Sequence, residues 1–497
     1  MIFLKTLSLI TWVLFLSNFA FSSAFFHHEQ LYRQRWLEQH ISKTNLRYES
    51  STEYTFQQKL DHFDPTNEET WLQRYWVDST FYQKGGPAFL VIDGETQADV
   101  TLYDKTEWKN YARNFNATFF YLEHRFYGRS VPKNDTSTQN LVYLSSQQAL
   151  ADIANFICGV TNQYNLSTDT KWIVFGCSYA GSLAAWARLK YPNLVHGAVS
   201  SSAPLVAKEA FTEYYPVVKE SLDYYKPTCS AKVAEANKHL SLLIQRDQGR
   251  RQVQELFGLC CNVDYNMESV STLFGAVLQY IVKAVQYNLK QDIEDFCNIM
   301  TISYNASTLQ LYAKAIKAIR FELEKGNRTC LNNCYRNDTD NLTSTNRDPV
   351  DNRRQWLYQI CTEFGWFPTT NKSTSDSLGA YIPVEYFIKQ CEKTFGPKNT
   401  VHRFNGLYLK RVVNETNTFY GGLKINVGNT VLIHGSIDPW HSIGITRAEI
   451  PNAPYKTIYI NGSGHCGEIF PPKSSDSEEV RKAQEEIANT LQSWLQN

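Results

Sequence analysis

Residues 171–192 read KWIVFGCSYAGSLAAWARLKYP: a β-rich apolar run, a turn of small residues holding Ser178, then an Ala/Leu-rich helical pattern. A strand that turns sharply into a helix around one serine is a nucleophile elbow, in which the hydroxyl projects from the sheet and the helix N-terminus offers backbone donors. The turn is crowded, so small residues must flank it. Gly176 and Gly181 do, while Ala180 stands where the motif G-x-S-x-G has its last glycine. The alternative is an ordinary buried strand, turn and helix that carries a serine, so the elbow needs partners elsewhere in the chain.

Short apolar runs alternate with helical patterns on both sides of the elbow: AFLVIDG (88–94), ATFFYLEHR (117–125), LSSQQALADIANFICGV (144–160), HGAVSSSAP (196–204), and later TVLIHGSID (430–438) and YKTIYINGSGH (455–465). This alternation predicts a doubly wound, mostly parallel α/β sheet. Between about residues 206 and 350 long helical patterns replace the strands, as in KVAEANKHLSLLIQ. The expected organisation is therefore a leader at 1–24, a first core part at 48–205, a helical cap at 206–350 and a second core part at 351–497.

Serine, acid and histidine occur in that chain order in hydrolases built on such a sheet, with the last two on loops after late strands. Asp438 closes TVLIHGSID and His465 closes the next strand-like run. A serine hydroxyl becomes nucleophilic when an imidazole takes its proton, and a carboxylate orients that imidazole. The expected roles are Ser178 nucleophile, His465 base and Asp438 orienting acid. Taken singly, Asp438 also reads as an Asp-Pro turn and His465 as a loop histidine. The oxyanion donors are expected at Tyr179 and in the Gly94–Glu95 loop.

The chain has 497 residues and equal numbers, 49 each, of basic and acidic residues. That balance excludes a nucleic-acid partner bound through a basic face. Lys5 followed by the apolar run Leu7–Leu16 and small residues to Ala24 has the order of a signal peptide, with a membrane anchor as the alternative; the run is short for a span, and no second long apolar stretch follows. Ten sequons fit export: Asn116, Asn134, Asn165, Asn305, Asn327, Asn337, Asn341, Asn371, Asn414 and Asn461. Eleven cysteines in an exported chain imply disulfides and at least one thiol unpaired or paired outside the chain, with the free one expected at Cys177 inside the elbow. Cys260–Cys261 and Cys330–Cys334 suggest a bridged region of open connectivity. Neither a metal site nor any cofactor is expected.

Several long motifs resemble one family. They are LDHFDP with QRYW (60–76), GGPAFLVIDGE, LEHRFYGRSVP, YLSSQQALAD, the elbow through SSSAP, WLYQICTEFGWF, GSIDPWH and GSGHC. They are similar to the lysosomal and secreted serine exopeptidases that include prolyl carboxypeptidase, dipeptidyl peptidase II and thymus-specific serine protease, and most to the thymus-specific branch. The resemblance implies an α/β-hydrolase with a helical cap, the triad above, peptide substrates cut near proline, and Trp440 as a pocket wall suited to a pyrrolidine ring. It implies a carboxypeptidase or dipeptidyl-peptidase action in the lysosome, endosome or extracellular space. Two departures stand out: Cys177 replaces a glycine of many members, and Leu357 stands where the dipeptidyl branch has an acidic residue that holds a substrate's amino terminus. An esterase or lipase, a catalytically silent binding protein, and homodimerisation are left open.

Overall fold

The structure, a computed structural model, describes residues 35–36, 52–302, 305–324, 330–370, 378–396, 404–474 and 476–496. The leader at 1–24, residues 48–51 and the side chains of Asn327, Asn337 and Asn371 lie outside the described residues.

An eight-stranded sheet runs in the order β1-β2-β4-β3-β5-β6-β9-β10. Its strands are β1 (Glu53–Lys59), β2 (Thr70–Asp78), β3 (Ala88–Ile92), β4 (Thr118–Leu122), β5 (Trp172–Cys177), β6 (Gly197–Ser201), β9 (Thr430–Gly435) and β10 (Lys456–Ile460). From β4 to β10 every pairing is parallel; β1 and β2 close one edge antiparallel. Every residue of β3, β4, β6 and β9 is buried. Helices on both faces require this of central parallel strands, which explains runs such as AFLVI and TFFYL without polar alternation. The architecture is an α/β-hydrolase.

Between β6 and β9 the chain leaves the sheet. Helices Tyr214–Tyr225, Cys229–Leu243, Asp247–Phe257, Met267–Gln286, Lys290–Thr301 and Thr308–Glu324 follow one another, with Tyr335–Thr343, Arg353–Gln359, Val384–Phe395 and Gly406–Tyr420 beyond. Three of these helical stretches thus stand between residue 351 and β9. A second, two-stranded parallel sheet joins β7 (Lys208–Phe211) to β8 (Gly365–Pro368) within this layer.

Four disulfides staple the layer: Cys229–Cys297, Cys260–Cys330, Cys261–Cys334 and Cys361–Cys391. The bridged region expected around Cys260 and Cys334 is thus present. The expectation for Cys177 is overturned, because it is bonded to Cys466. The free thiol is Cys158, exposed on helix Ser146–Gln163.

Several family-like motifs meet at a buried ion pair rather than at a cavity. Arg125, fully buried, donates to both oxygens of Asp152 at 2.6 and 2.7 Å and to the carbonyls of Leu60 and Tyr143. His62 Nε2 lies 2.7 Å from the same carboxylate. A guanidinium taken out of water keeps its charge only when its donors are satisfied in this way, so LDHFDP, LEHRFYG and YLSSQQALAD are tied together by one charge.

Candidate active site

Ser178 sits between β5 and helix Tyr179–Lys190 with φ 61° and ψ −130°. A non-glycine residue holds such a backbone only when its surroundings over-determine it. Here a Cβ on Gly176 would come 2.1 Å from the Ala180 carbonyl oxygen, and one on Gly181 would come 2.6 Å from that of Ser201. Ala180 is accommodated: a Cβ built on Gly94, its neighbour, would still be 3.6 Å from the Ala180 methyl. Ser178 N donates to Ser201 O at 2.9 Å, hanging the turn on the end of β6.

Asp438 follows β9 and is completely buried. One carboxylate oxygen accepts from Trp440 N at 3.1 Å and the other from His465 Nδ1 at 2.7 Å. His465, on the loop after β10, is held from the helical layer, where its backbone N donates to Gln286 O at 2.8 Å. Ser178, Tyr179 and His465 line one cavity of about 650 Å³, together with Gly94, Glu95 and Cys177. The structure therefore brings all three expected triad residues to one place.

The expected oxyanion positions Tyr179, Gly94 and Glu95 all line this cavity. Gly94 N donates to Asp93 Oδ1 at 3.0 Å, an oxygen that also accepts from Tyr103 Oη. That N–H is thus already bonded within its own loop. Glu123, missed in the sequence, supports this loop: its carboxylate accepts from Ala98 N at 3.1 Å, Ser130 Oγ at 2.6 Å and Arg74 Nη1. The signal was the motif itself, since a Cβ on Gly128 would come 2.2 Å from Glu123 Oε1.

Aromatic rings form one wall. Trp440 packs against Phe211, Tyr214 and Trp366 with centroids 5.4, 5.9 and 6.2 Å away, and Trp356 lies 5.5 Å from Tyr179. Leu357 is fully buried and does not line the cavity.

Behind Tyr179 lies a polar chain that sequence reasoning also missed. Gln359 Nε2 donates to Tyr179 Oη at 2.9 Å and to Glu363 Oε2 at 3.2 Å, while Tyr127 Oη donates to Gln359 Oε1 at 2.6 Å. Glu363 also accepts from Ser146 N and Oγ at 3.0 and 2.6 Å. Glu363 keeps some exposed surface, yet the protein around its carboxyl displaces enough water to push its pKa up to about 6, against the lowering hydrogen bonds from Ser146 and Gln359.

Cys177, His465 and Cys466 offer atoms within 4.8 Å of one another, close enough for a metal ion. Both sulfurs are consumed in a disulfide, however, and a metal needs thiolates. Among the described residues the seven sequon asparagines with placed side chains, Asn116, Asn134, Asn165, Asn305, Asn341, Asn414 and Asn461, are exposed. No described helix is long and apolar enough to cross a membrane.

Residues 58–487 match the family model described as serine carboxypeptidase S28. The chain belongs to the S28 peptidase family. S28 relatives include thymus-specific serine protease of Mus musculus, 31% identical over 453 residues, covering 89% of this chain and 87% of that one. The Homo sapiens protein of the same name is 31% identical over 451 residues, covering 88% and 86%. Lysosomal Pro-X carboxypeptidase of Mus musculus is 27% identical over 413 residues, covering 79% of each chain. As an S28 member the protein is a serine peptidase.

Proposed function

We propose that this peptidase is a secreted or endolysosomal exopeptidase that hydrolyses short peptides near proline or another small residue. The observation that carries the reading is the 2.7 Å bond from His465 Nδ1 to buried Asp438, with His465 lining the same cavity as the elbow serine.

In this reading His465 Nε2 removes the proton from Ser178 Oγ, which attacks the scissile carbonyl. Asp438 fixes the imidazole tautomer through Nδ1–H and stabilises the imidazolium. The N–H groups of Tyr179 and Glu95 stabilise the oxyanion. His465 then protonates the leaving amine, and water, activated by the same imidazole, releases the acyl group from Ser178. The Trp440 and Trp366 indoles receive the ring or small side chain at the cut.

Names of the relatives and the exposed sequons support a secretory route and a carboxypeptidase direction; the buried apolar Leu357 offers nothing to a substrate ammonium, which argues against the dipeptidyl direction. Mature protein and a Ser178→Ala control, incubated with mixed short peptides at acidic and neutral pH, test the proposal by mass spectrometry. Serine-dependent loss of single C-terminal residues is expected. Cleavage confined to ester substrates, or no serine-dependent product, would overturn it.

A further inference from the structure

The loops that carry Ser178 and His465 come from strands that are not neighbours. In the order β5-β6-β9-β10, two strands separate the one ending at Cys177 from the one preceding His465, a lateral gap of about 14 Å at ordinary strand spacing. The loops must therefore be drawn together across the tip of β6. Three contacts do this. Ser178 N bonds Ser201 O, Cys466 N donates to Ser202 Oγ at 2.9 Å, and the Cys177–Cys466 disulfide joins the residue before the nucleophile to the residue after the histidine across 289 positions of sequence.

Strain points the same way. Ser178 and Cys466 both have positive φ, 61° and 51°, in the region that non-glycine residues leave when released. The sulfurs also pack against the imidazole, all within 4.8 Å. We propose that the Cys177–Cys466 disulfide is the positioning link that holds Ser178 and His465 in register, so that a dithiol entering through the substrate cavity switches the peptidase off reversibly. This rests on the triad reading above.

The reductant has a path to the bond: Cys177 lines the cavity and is partly exposed, whereas Cys466 is fully buried. A dithiol thiolate attacks Cys177 Sγ, the S–S bond breaks, and Cys466 leaves as a thiolate. The second thiol of the reductant attacks the mixed disulfide, releasing Cys177. One dithiol is oxidised to its cyclic disulfide, and two electrons and two protons end on the protein thiols. The freed loops can relax, and a thiol beside the imidazole competes with the Ser178 hydroxyl as the donor of a proton to it.

The test titrates the mature, full-length enzyme with dithiothreitol, alkylates the thiols, maps them by mass spectrometry, and follows fluorophosphonate labelling of Ser178. The labelling rate should fall at least tenfold in step with alkylation of Cys177 and Cys466 and return on reoxidation. A cavity-filling competitive inhibitor should protect this pair and not Cys260–Cys330. The Cys177→Ala/Cys466→Ala double variant should label more slowly at saturating probe, with half-saturation unchanged and no response to dithiol. Complete alkylation of the pair with an unchanged rate, or a double variant that dithiol still inactivates in step with another bridge, would overturn the proposal. The wild-type titration needs no variant to fold. Untreated enzyme that never labels at Ser178 would instead overturn the triad reading on which it rests.

Discussion

The Gln359 side-chain amide donates to the Tyr179 hydroxyl at 2.9 Å, so the residue that follows the nucleophile is held at its ring end as well as at its backbone. The direction of each bond in this chain is determined. Burial pulls the His124 pKa down to about 4, leaving it neutral; its Nδ1–H donates to Arg125 O at 2.7 Å, so Nε2 must accept from Tyr179, 3.1 Å away. Tyr179 then has only acceptor capacity left for Gln359.

Replacing Gln359 by leucine removes that donor and also the acceptor for Tyr127. Tyr127 loses its acceptor, at about 1–3 kcal/mol, while Tyr179 loses one partner and keeps His124. The expected outcome is a lower melting temperature and roughly a tenfold drop in kcat, with KM changed less. Gln359→Glu retains the acceptor for Tyr127 but sets a second carboxyl against Glu363, so it should recover little of the stability and none of the rate. Steady-state kinetics and thermal unfolding check this.

Ser178→Ala, His465→Ala and Asp438→Asn should each lower kcat/KM by about 10³-fold or more, since the three groups act as a unit. Combining any two should cost little beyond the worse single change. A double variant whose losses multiply would contradict a shared role. Fluorophosphonate labelling gives an independent readout.

Glu363 gives stability a defined pH sign. Its pKa is raised from 4.5 to about 6 by burial, so its contribution is fully present below pH 4.5 and is lost as pH rises through 6. Wild type should therefore gain about 1–2 kcal/mol over Glu363→Gln on going from pH 7 to 4.5, after allowance for partial exposure. His124 and His434 act oppositely: burial lowers them to about 4 and about 3, and the stability they contribute above pH 6.5 is lost on acidification. They are common to both proteins and cancel in the comparison. Denaturant midpoints at the two pH values decide it.

A methyl group at Gly176 would strike the Ala180 carbonyl at 2.1 Å, and backbone cannot step aside cheaply. Gly176→Ala should destabilise by about 1–3 kcal/mol and abolish labelling of Ser178. Ala180→Gly, by contrast, should remain active, because it removes one methyl and restores the glycine usual at that place in the elbow motif. Parallel labelling and melting experiments separate the two.

Much of the site was legible because its parts are local. The elbow, Asp438 at the end of an apolar run and His465 in a glycine-rich loop each announce themselves within a few residues, and hydrolase chain order links them. The doubly wound sheet was legible from runs such as AFLVI. What stayed hidden depends on distant pairing: Cys177 meets Cys466 only once β6 and β9 lie between their loops, and nothing near Cys177 marks a partner 289 residues away. The engagement of Gly94 by Asp93 is a side-chain rotamer, invisible to any spacing rule. The four-residue strands β7 and β8 are too short for a periodic pattern and pair across the helices that run from Tyr214 to Gln359.

The hydrogen bond from His465 N to Gln286 O crosses from the sheet's loop to the last turn of the helix Met267–Gln286, and Asn288 Nδ2 reinforces it by donating to Gly462 O at 2.9 Å. A roof wired in this way to the proton shuttle cannot swing open without detuning the chemistry beneath it. In the proposed exopeptidase the aperture would act as a sieve of fixed mesh, sorting peptides by whether they thread it. Exchanging the roof between relatives should accordingly alter turnover as well as preference.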